Sequence, residues 1–250
     1  MNLVTIFNEI HLLNEKDKRA MNDLASLLAL QYNLPFRKDP VRHNICIILL
    51  AWSFYQEQTN NWVRRMRALR YDAWMSPRSP EHFCFSSCSN IVCCAVSEGN
   101  VGLDVQDYRN IEPMALAEFV SQREMEKLSE QKERRVVEVT RILTLKESFG
   151  KFLGVGLDYD VVKTNLYKEA ESFQKYGVQF VSYFLKDAVI SVCFEKGKEF
   201  GYKFIEYNEL RSILKALKQS ISLQENLNGM VDLREYEPRG MVTYAGKATR

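Results

Sequence analysis

The sequence predicts an α+β protein built from two similar α+β halves, and its length, its composition and its order of elements support this. Its 250 residues suit one large domain or two small ones and are enough to bury a real core. Apolar residues make up 46% and charged residues 26%, which is the balance of a globular protein. A helix followed by strands occurs twice, once before about residue 107 and once after it. We therefore predict an N-terminal α+β half over 1–107, a C-terminal α+β half over 108–220 and a peripheral or loose tail over 221–250.

The first half begins with a helix and ends with strands. The stretch "RAMNDLASLLALQY" places apolar residues at helical spacing until Pro35 and Pro40 interrupt the pattern. "NICIILLAWSFY" predicts a strand or a short buried helix, and "HFCFSSCS" leads into a buried strand, "IVCCAV". The turn "SEGN" connects this strand to "VGLDVQ", in which Val101, Leu103 and Val105 alternate with small or polar residues. These last two strands predict a hairpin.

The second half predicts two helices, two strands and a last helix. Residues 111–137 are charged and helical in pattern, and "VVEVTRILTLKESFGKFL" predicts a second helix with an apolar stripe, ended by Gly154 and Gly156. "VQFVSYFL" and "AVISVCFE" predict two strands joined by a short turn. "NELRSILKALK" predicts the last helix, with Asn208 as its N-cap.

Four of the six cysteines lie close together in "CFSSCSNIVCC", near His82, which raises the question of a zinc site. The segment contains no C-x2-C pair, and the chain has no second distant pair of the kind that zinc sites use. The alternative is that 91–96 is a buried strand, in which cysteine acts as a small hydrophobic residue. We expect the buried strand, and reduced thiols then predict an intracellular, cytoplasmic protein.

Charge and hydropathy argue against nucleic-acid and membrane partners. The net charge is only +2, whereas nucleic-acid-binding domains usually carry a basic stripe. The local exception is "WVRRMRALR", which keeps an RNA-binding α+β protein open as an alternative. The N-terminus lacks the layout of a signal peptide, and the longest apolar run, "ICIILLAW", is too short to span a bilayer.

Three charged residues of these elements are candidates for a site. Glu147 and Lys151 are four residues apart and so share a helix face opposite the apolar stripe; the alternative is a solvent-exposed ion pair of little energetic value. Asp104 stands in a strand, where aspartate is depleted; the alternative is an edge-strand residue that points to water. Two carboxylates that meet across a cleft suit Mg²⁺, which usually takes one or two carboxylates together with substrate phosphates and water.

The stretch "VGLDVQ", followed by "LTLKESFGKFLGVGL", resembles the two signature motifs of the larger, pseudo-dimeric 4′-phosphopantetheinyl transferases of the surfactin-synthetase and aminoadipate-reductase type. "EHFCFSSCSNIVCCAV" is similar to the segment that precedes those motifs in the family. The three stretches occur in the family's order and cover about residues 80–160. The resemblance implies that the two α+β halves form a pseudo-dimer within one chain, with the site between them, so that the protein would act as a monomer.

The resemblance also implies a chemistry. The enzyme would transfer the phosphopantetheine arm of coenzyme A to a serine of an apo carrier protein domain and release 3′,5′-ADP. Mg²⁺ would be held by Asp104 and Glu147, with Gln106 at the position of a third ligand. Glu147 and Lys151 would be the catalytic residues that help to remove the proton of the attacking serine.

By the same resemblance, basic and hydroxyl-bearing residues would bind coenzyme A. Lys146 would contact a phosphate, and Ser86 would bind one through its backbone or its hydroxyl. Before residue 80 the match is poor and the family's Gly-Lys-Pro stretch is not recognisable, so Arg67 or Arg70 is the candidate for the positive charge at the 3′-phosphate; the alternative is a solvated helix or strand face. The candidate residues for coenzyme A are Arg67, Arg70, Ser86, Ser87, Lys146 and Lys151.

The sequence departs from the family pattern at several positions. Gln106 replaces an acid that often supplies a third metal ligand, Ser87 replaces a phosphate-binding histidine, and Leu143 replaces a tryptophan. Residues 37–60 form an insertion relative to the family, which is either a genuine local element or an error in the coding sequence. Two functions therefore stay open. One is an active transferase in which the partner is a carrier domain, such as that of aminoadipate reductase in lysine biosynthesis. The other is a non-catalytic paralogue that binds coenzyme A or a carrier protein.

Overall fold

The computed structural model describes residues 2–32, 40–56, 82–167 and 176–228. Arg67, Arg70, the basic stretch "WVRRMRALR" and the tail from residue 229 onward lie outside the described residues, and so do the predictions that concern them. Within the described ranges the strands are β1 (Leu3–Phe7), β2 (His82–Ser87), β3 (Val92–Ser97), β4 (Val101–Asp107), β5 (Val178–Phe184), β6 (Ala188–Glu195) and β7 (Gly201–Ile205). The α-helices are α1 (Glu15–Tyr32), α2 (Pro40–Gln56), α3 (Pro113–Leu116), α4 (Gln122–Glu130), α5 (Arg135–Leu153), α6 (Tyr159–Lys163) and α7 (Tyr207–Asn228).

The strands form two sheets, and the α+β class is confirmed. In the four-stranded sheet the order is β2–β3–β1–β7, with β1 antiparallel to β3 and parallel to β7. In the three-stranded sheet the order is β4–β6–β5, and both pairs are antiparallel. The register of this sheet places Asp104 opposite Ser191, and Ser191 opposite Ser182.

The elements stack as four layers around three apolar clusters. Helices α1, α2 and α7 pack on one face of the four-stranded sheet, where Phe7 and Val92 contact them. The other face of that sheet packs on the three-stranded sheet, through residues such as Ile6 and Leu103. Helix α5 covers the remaining face of the three-stranded sheet, with Phe149 in the third cluster. Strand β4 therefore lies between the four-stranded sheet and α5, and this position brings the candidate residues together.

The predicted hairpin between β3 and β4 is wrong. The two strands follow each other along the chain but belong to different sheets. Strand β3 already pairs with β1 on one edge and with β2 on the other, so no edge is left for β4. Strand β4 pairs instead with β6, whose predicted hairpin with β5 is confirmed.

The helix predictions differ from the structure at two places. Residues 111–137 do not form one helix, because Ser121 and Glu124 make a reciprocal capping box that starts α4 anew. Of the two alternatives predicted for "NICIILLAWSFY", the structure has the buried helix, as part of α2. The last helix begins at Tyr207, so Asn208 lies inside its first turn and is not its N-cap, and it continues to Asn228, into the predicted tail. The end of α5 is as predicted, since Gly154 caps it in the left-handed conformation with φ 73°.

The two sheets exchange strands across the predicted boundary at residues 107 and 108. Strand β4, from the first half, pairs with β6 of the second. Strand β7, from the second half, pairs with β1 of the first. The division into two halves and their pseudo-dimeric relation remain predictions, and any such halves must share strands. Among the described helices, none combines the length and the apolar character that crossing a membrane requires.

Candidate functional site

Gly102 sets the distance between β4 and α5. A Cβ atom at this position would lie 1.8 Å from the carbonyl oxygen of Ser148 and 2.6 Å from the amide nitrogen of Phe152. The two backbones can approach this closely only because glycine has no side chain. Asp104 is two residues further along β4 and so points to the same side, toward the face of α5 that carries Glu147 and Lys151.

The Asp104 carboxylate is buried and accepts three hydrogen bonds. Its side chain is only 8% exposed, so the alternative of an edge residue that points to water is wrong. Oδ1 accepts from Lys151 Nζ at 2.9 Å and from Ser86 Oγ at 2.8 Å. Oδ2 accepts from Gln106 Nε2 at 3.0 Å. The residues predicted from the three separate sequence stretches therefore meet at one carboxylate.

The Lys151 ammonium is fixed by several acceptors. Besides Asp104, it donates to the carbonyl oxygen of Leu103 at 2.9 Å and to Ser86 Oγ at 3.4 Å. Burial acts to lower the pKa of Lys151, but the charge of Asp104, together with smaller contributions that include Glu147, outweighs it and leaves the pKa above its ordinary value. Lys151 is therefore protonated at neutral pH, and the alternative of an exposed Glu147–Lys151 pair does not describe its surroundings.

Ser86 joins the two sheets at this point. Strand β4 is an edge strand of its sheet, and its Val105 amide donates to Ser86 Oγ of β2 at 3.2 Å. The same hydroxyl donates to Asp104, so one side chain satisfies both the strand edge and the carboxylate. Ser87, the next residue of β2, is exposed and points to the opposite face of its strand, away from this cluster.

Glu147 is the carboxylate of the cluster that has no partner. It is half-buried, and within the described ranges it makes no hydrogen bond or ion pair. Burial, and then the neighbouring charge of Asp104, raise the pKa of Glu147 above its ordinary value, although Lys151 opposes this. A half-buried carboxylate with free oxygen atoms is suited to accept a proton or to bind a cation.

The donor set fits a magnesium ion that is shared with a substrate. Asp104 and Glu147 supply carboxylate oxygens, and the Gln106 side chain adds a neutral amide oxygen. The described residues contain no group of three or more His, Cys, Asp or Glu that could hold a metal by itself. Mg²⁺ usually takes one or two carboxylates when phosphates and water complete its shell, so these two are sufficient.

Lys146 does not belong to this site, so its predicted contact with a phosphate does not fit the structure. Its side chain is 1% exposed and forms an ion pair with Glu124, which is 0% exposed, at 2.8 Å. It also donates to the carbonyl oxygens of Val162 at 2.8 Å and Thr164 at 2.7 Å. Burial lowers the pKa of Lys146, although Glu124 opposes this. Adjacent helical residues point about 100° apart, which directs Lys146 away from Glu147.

Glu124 and three hydroxyl-bearing residues make contacts around α5 that were not predicted from the sequence. The three are Thr144, Ser182 and Ser191. Glu124 accepts from the Ser121 amide at 2.7 Å and from the Leu166 amide at 2.7 Å, so it ties α4 and the segment after α6 to α5. The S-x-x-E pattern of a capping box was a readable signal for it. The Ser191 hydroxyl forms hydrogen bonds with the hydroxyls of Thr144 of α5 at 2.7 Å and of Ser182 at 3.0 Å. No local sequence pattern predicts these contacts.

All six cysteines are free and buried. Cys93 and Cys94 lie in β3, which is buried along its whole length and confirms the buried-strand prediction for 91–96. The Leu103 amide donates to Cys84 Sγ at 3.3 Å, which fills another polar position on the edge of β4. Burial raises the pKa of the Cys84 thiol and raises that of Cys88 to about 12. The thiols therefore stay protonated and unreactive at neutral pH.

A search with the sequence finds no matching protein family and no matching curated protein.

Proposed function

We propose that this protein transfers the 4′-phosphopantetheine arm of coenzyme A to a serine of an apo carrier protein domain. One observation carries the proposal. Five residues that a resemblance picked out from separate stretches of sequence lie in one cluster between β2, β4 and α5. They are Ser86, Asp104, Gln106, Glu147 and Lys151.

The transfer needs a base, positive charge and a way to hold the pyrophosphate of coenzyme A. Glu147 would accept the proton of the serine hydroxyl, and its raised pKa makes it a stronger base than an exposed carboxylate. The serine oxygen then forms a bond to the phosphorus of the phosphopantetheine arm, while the bond from that phosphorus to the bridging oxygen of 3′,5′-ADP breaks. The electron pair of that bond leaves with 3′,5′-ADP.

The other residues of the cluster hold and neutralise the phosphates. The Lys151 ammonium and the Ser86 hydroxyl are partly exposed donors, and phosphate oxygens would replace their present acceptors. Asp104, Gln106 and Glu147 are the residues that would hold Mg²⁺, which offsets negative charge that builds on the pyrophosphate when it is bound. Most of the rate enhancement would come from this positioning and electrostatic stabilisation.

The carrier domain would dock beside the end of α5. Val155 and Tyr159 are exposed apolar residues here, at 51% and 74%, and Lys163 lies over the Tyr159 ring at 5.7 Å. Such a surface suits the acidic helix of a carrier domain. By resemblance we propose a cytoplasmic monomer whose substrates include the carrier domain of aminoadipate reductase, in lysine biosynthesis.

Mass spectrometry of an apo carrier domain tests the proposal. The domain is incubated with this protein, coenzyme A and Mg²⁺, and a gain of one phosphopantetheine is expected. The gain should disappear when a chelator is added and in the Asp104→Ala variant. Absence of any gain with several carrier domains, from a folded protein, would overturn the proposal.

A second candidate is a non-catalytic paralogue that binds coenzyme A or a carrier protein. It is favoured by the ion pair between Lys151 and Asp104, which occupies both a phosphate donor and a metal ligand, and by the burial of Lys146. A thermal shift with coenzyme A and Mg²⁺, removed by Glu147→Ala, together with no transfer to any carrier, would support this candidate over the transferase.

A further inference from the structure

The Asp104 carboxylate already accepts three hydrogen bonds, which occupy three of its roughly four lone-pair sites. Oδ1 accepts two hydrogen bonds, from Lys151 and Ser86, and Oδ2 accepts one from Gln106. The side chain is 8% exposed, so water competes for few of its lone pairs. A metal that binds Asp104 therefore either takes the remaining lone pair of Oδ2, close to the Lys151 ammonium, or displaces one of these donors.

Lys151 is the donor whose displacement matters most, because it alone carries a charge. It lies 2.9 Å from Oδ1, the distance of a strong, charge-assisted hydrogen bond. A divalent cation near Asp104 would face this ammonium across a few ångströms of partly buried space, where repulsion between like charges is strong. Ser86 and Gln106 are neutral and can turn their oxygen atoms toward a cation.

The Lys151 side chain is able to move away from Asp104. It is 30% exposed, whereas Asp104 is closed in, and lysine has a flexible stem of four carbons. A bound phosphate oxygen would give the Lys151 ammonium a new acceptor. The phosphate would then draw the ammonium away from the metal position, and the metal would release the ammonium from Asp104 to bind the phosphate.

We infer that Lys151 is the resident counter-ion of Asp104, so that a divalent cation binds this site weakly until coenzyme A draws the ammonium away. The inference rests on the proposed function for the identity of the phosphate ligand. The competition between Lys151 and a metal for Asp104 does not depend on the proposed function, because it involves only residues of this chain. Metal and coenzyme A binding should consequently be cooperative, and each should strengthen the other by the same factor.

Binding of Mn²⁺ to the full chain without coenzyme A tests the competition directly. Electron paramagnetic resonance counts free Mn²⁺ in titrations of the wild type and Lys151→Gln, which keeps a hydrogen-bond donor but removes the charge. We expect Lys151→Gln to bind Mn²⁺ about ten-fold more tightly or better, because a unit charge close to the ligand oxygen is removed. Lys151→Arg keeps the charge and should bind as weakly as the wild type. Lys132→Gln removes a charge at an exposed position outside the cluster and should have no effect.

Equal or weaker Mn²⁺ binding by a folded Lys151→Gln variant overturns the inference. If that variant does not fold, as judged by circular dichroism, Lys151→Met, which is also neutral, takes its place in the same titration without coenzyme A. Equal or weaker Mn²⁺ binding by the folded Lys151→Met variant overturns the inference. The outcome is separable from that of the proposed function, because the first titration uses neither coenzyme A nor a carrier. If Lys151→Gln binds Mn²⁺ more tightly but the wild type transfers no phosphopantetheine, the inference holds and the proposed transferase function is rejected.

Discussion

Gly102 of β4 lies so close to Ser148 of α5 that an added Cβ would fall 1.8 Å from the Ser148 carbonyl oxygen. The contact involves backbone atoms on both sides, so no side-chain rotation can relieve an overlap. The same contact holds Asp104 beside Lys151. Asp104 is two residues from Gly102 along β4, and Lys151 is three residues from Ser148 along α5. Stability and the geometry of the candidate site therefore depend on one glycine.

Gly102→Ala should lower both the stability and the activity of the protein. The strand must move away from α5, and forcing extra atoms into a packed interior typically costs about 1–3 kcal/mol. Urea denaturation measures the loss of stability, and the carrier-domain assay measures the loss of activity. Gly201→Ala in β7 is the matched control, because its Cβ would meet its nearest atom, Leu3 Cδ1, only at 3.8 Å. Equal stability of the two variants would contradict the prediction.

The parts of the fold that the sequence predicted best are those with a strong local pattern. Helix α5 was predicted within one residue at its start, because its apolar stripe and its terminal glycine are both local signals. Helix α2 stayed ambiguous with a strand, since residues 44–51 are buried on all sides and a continuous apolar run shows no period. Strand β7 was missed because it is a short edge strand in which Tyr202 and Phe204 are exposed, at 56% and 39%.

The candidate site was predictable only where a motif named its residues. Motifs pointed to Asp104, Glu147 and Lys151, but the spacing of residues could not show that Lys151 binds Asp104 rather than Glu147. Lys146 was misassigned because its partner, Glu124, is on another helix and 22 residues earlier in the chain. Pairings of this kind depend on tertiary packing, and the local sequence carries no record of them.

Removing one partner of the Lys146–Glu124 pair should be costly, and the two residues should show strong coupling. Lys146→Met leaves the Glu124 carboxylate buried without a counter-ion, and breaking a buried pair in this way typically costs about 3–5 kcal/mol. Glu124→Gln should then cost less in the Lys146→Met background than in the wild type. A double-mutant cycle by urea denaturation measures this coupling.

A surface pair provides the control for that cycle. Lys127 and Glu130 form an ion pair at 2.9 Å, but their side chains are 46% and 59% exposed. Lys127→Met should therefore change stability far less than Lys146→Met does. If Lys146→Met costs as little as Lys127→Met, the buried pair does not have the structural role assigned to it.

The cysteines should be unreactive in the folded protein. With a pKa of about 12, Cys88 is thiolate in roughly one molecule in ten thousand near pH 8. The other five are also buried, so we expect almost no reaction with Ellman's reagent in native buffer. In guanidinium chloride all six thiols should react. Rapid reaction of one or more thiols in native buffer would contradict the prediction and show that the structure around the reacting cysteine opens in solution.

Glu147→Gln should abolish transfer and yet raise the stability of the protein at neutral pH. Because burial and Asp104 raise the pKa of Glu147, the folded chain holds the ionised carboxylate less well than the unfolded chain does. The folded state therefore binds more protons above pH 4.5, and this stability is lost as the pH rises through the window between 4.5 and the raised pKa. The neutral variant avoids that loss, so its melting temperature should exceed that of the wild type by about 1–3 °C near pH 8 and by nothing near pH 4.

Transfer by the wild type should become slower as the pH falls, with an apparent pKa above 4.5, since the base must be ionised. Glu118→Gln, at an exposed position just after α3, should change neither quantity. A Glu147→Gln variant that melts lower than the wild type near pH 8 would show that this carboxylate stabilises the fold rather than serving a ligand.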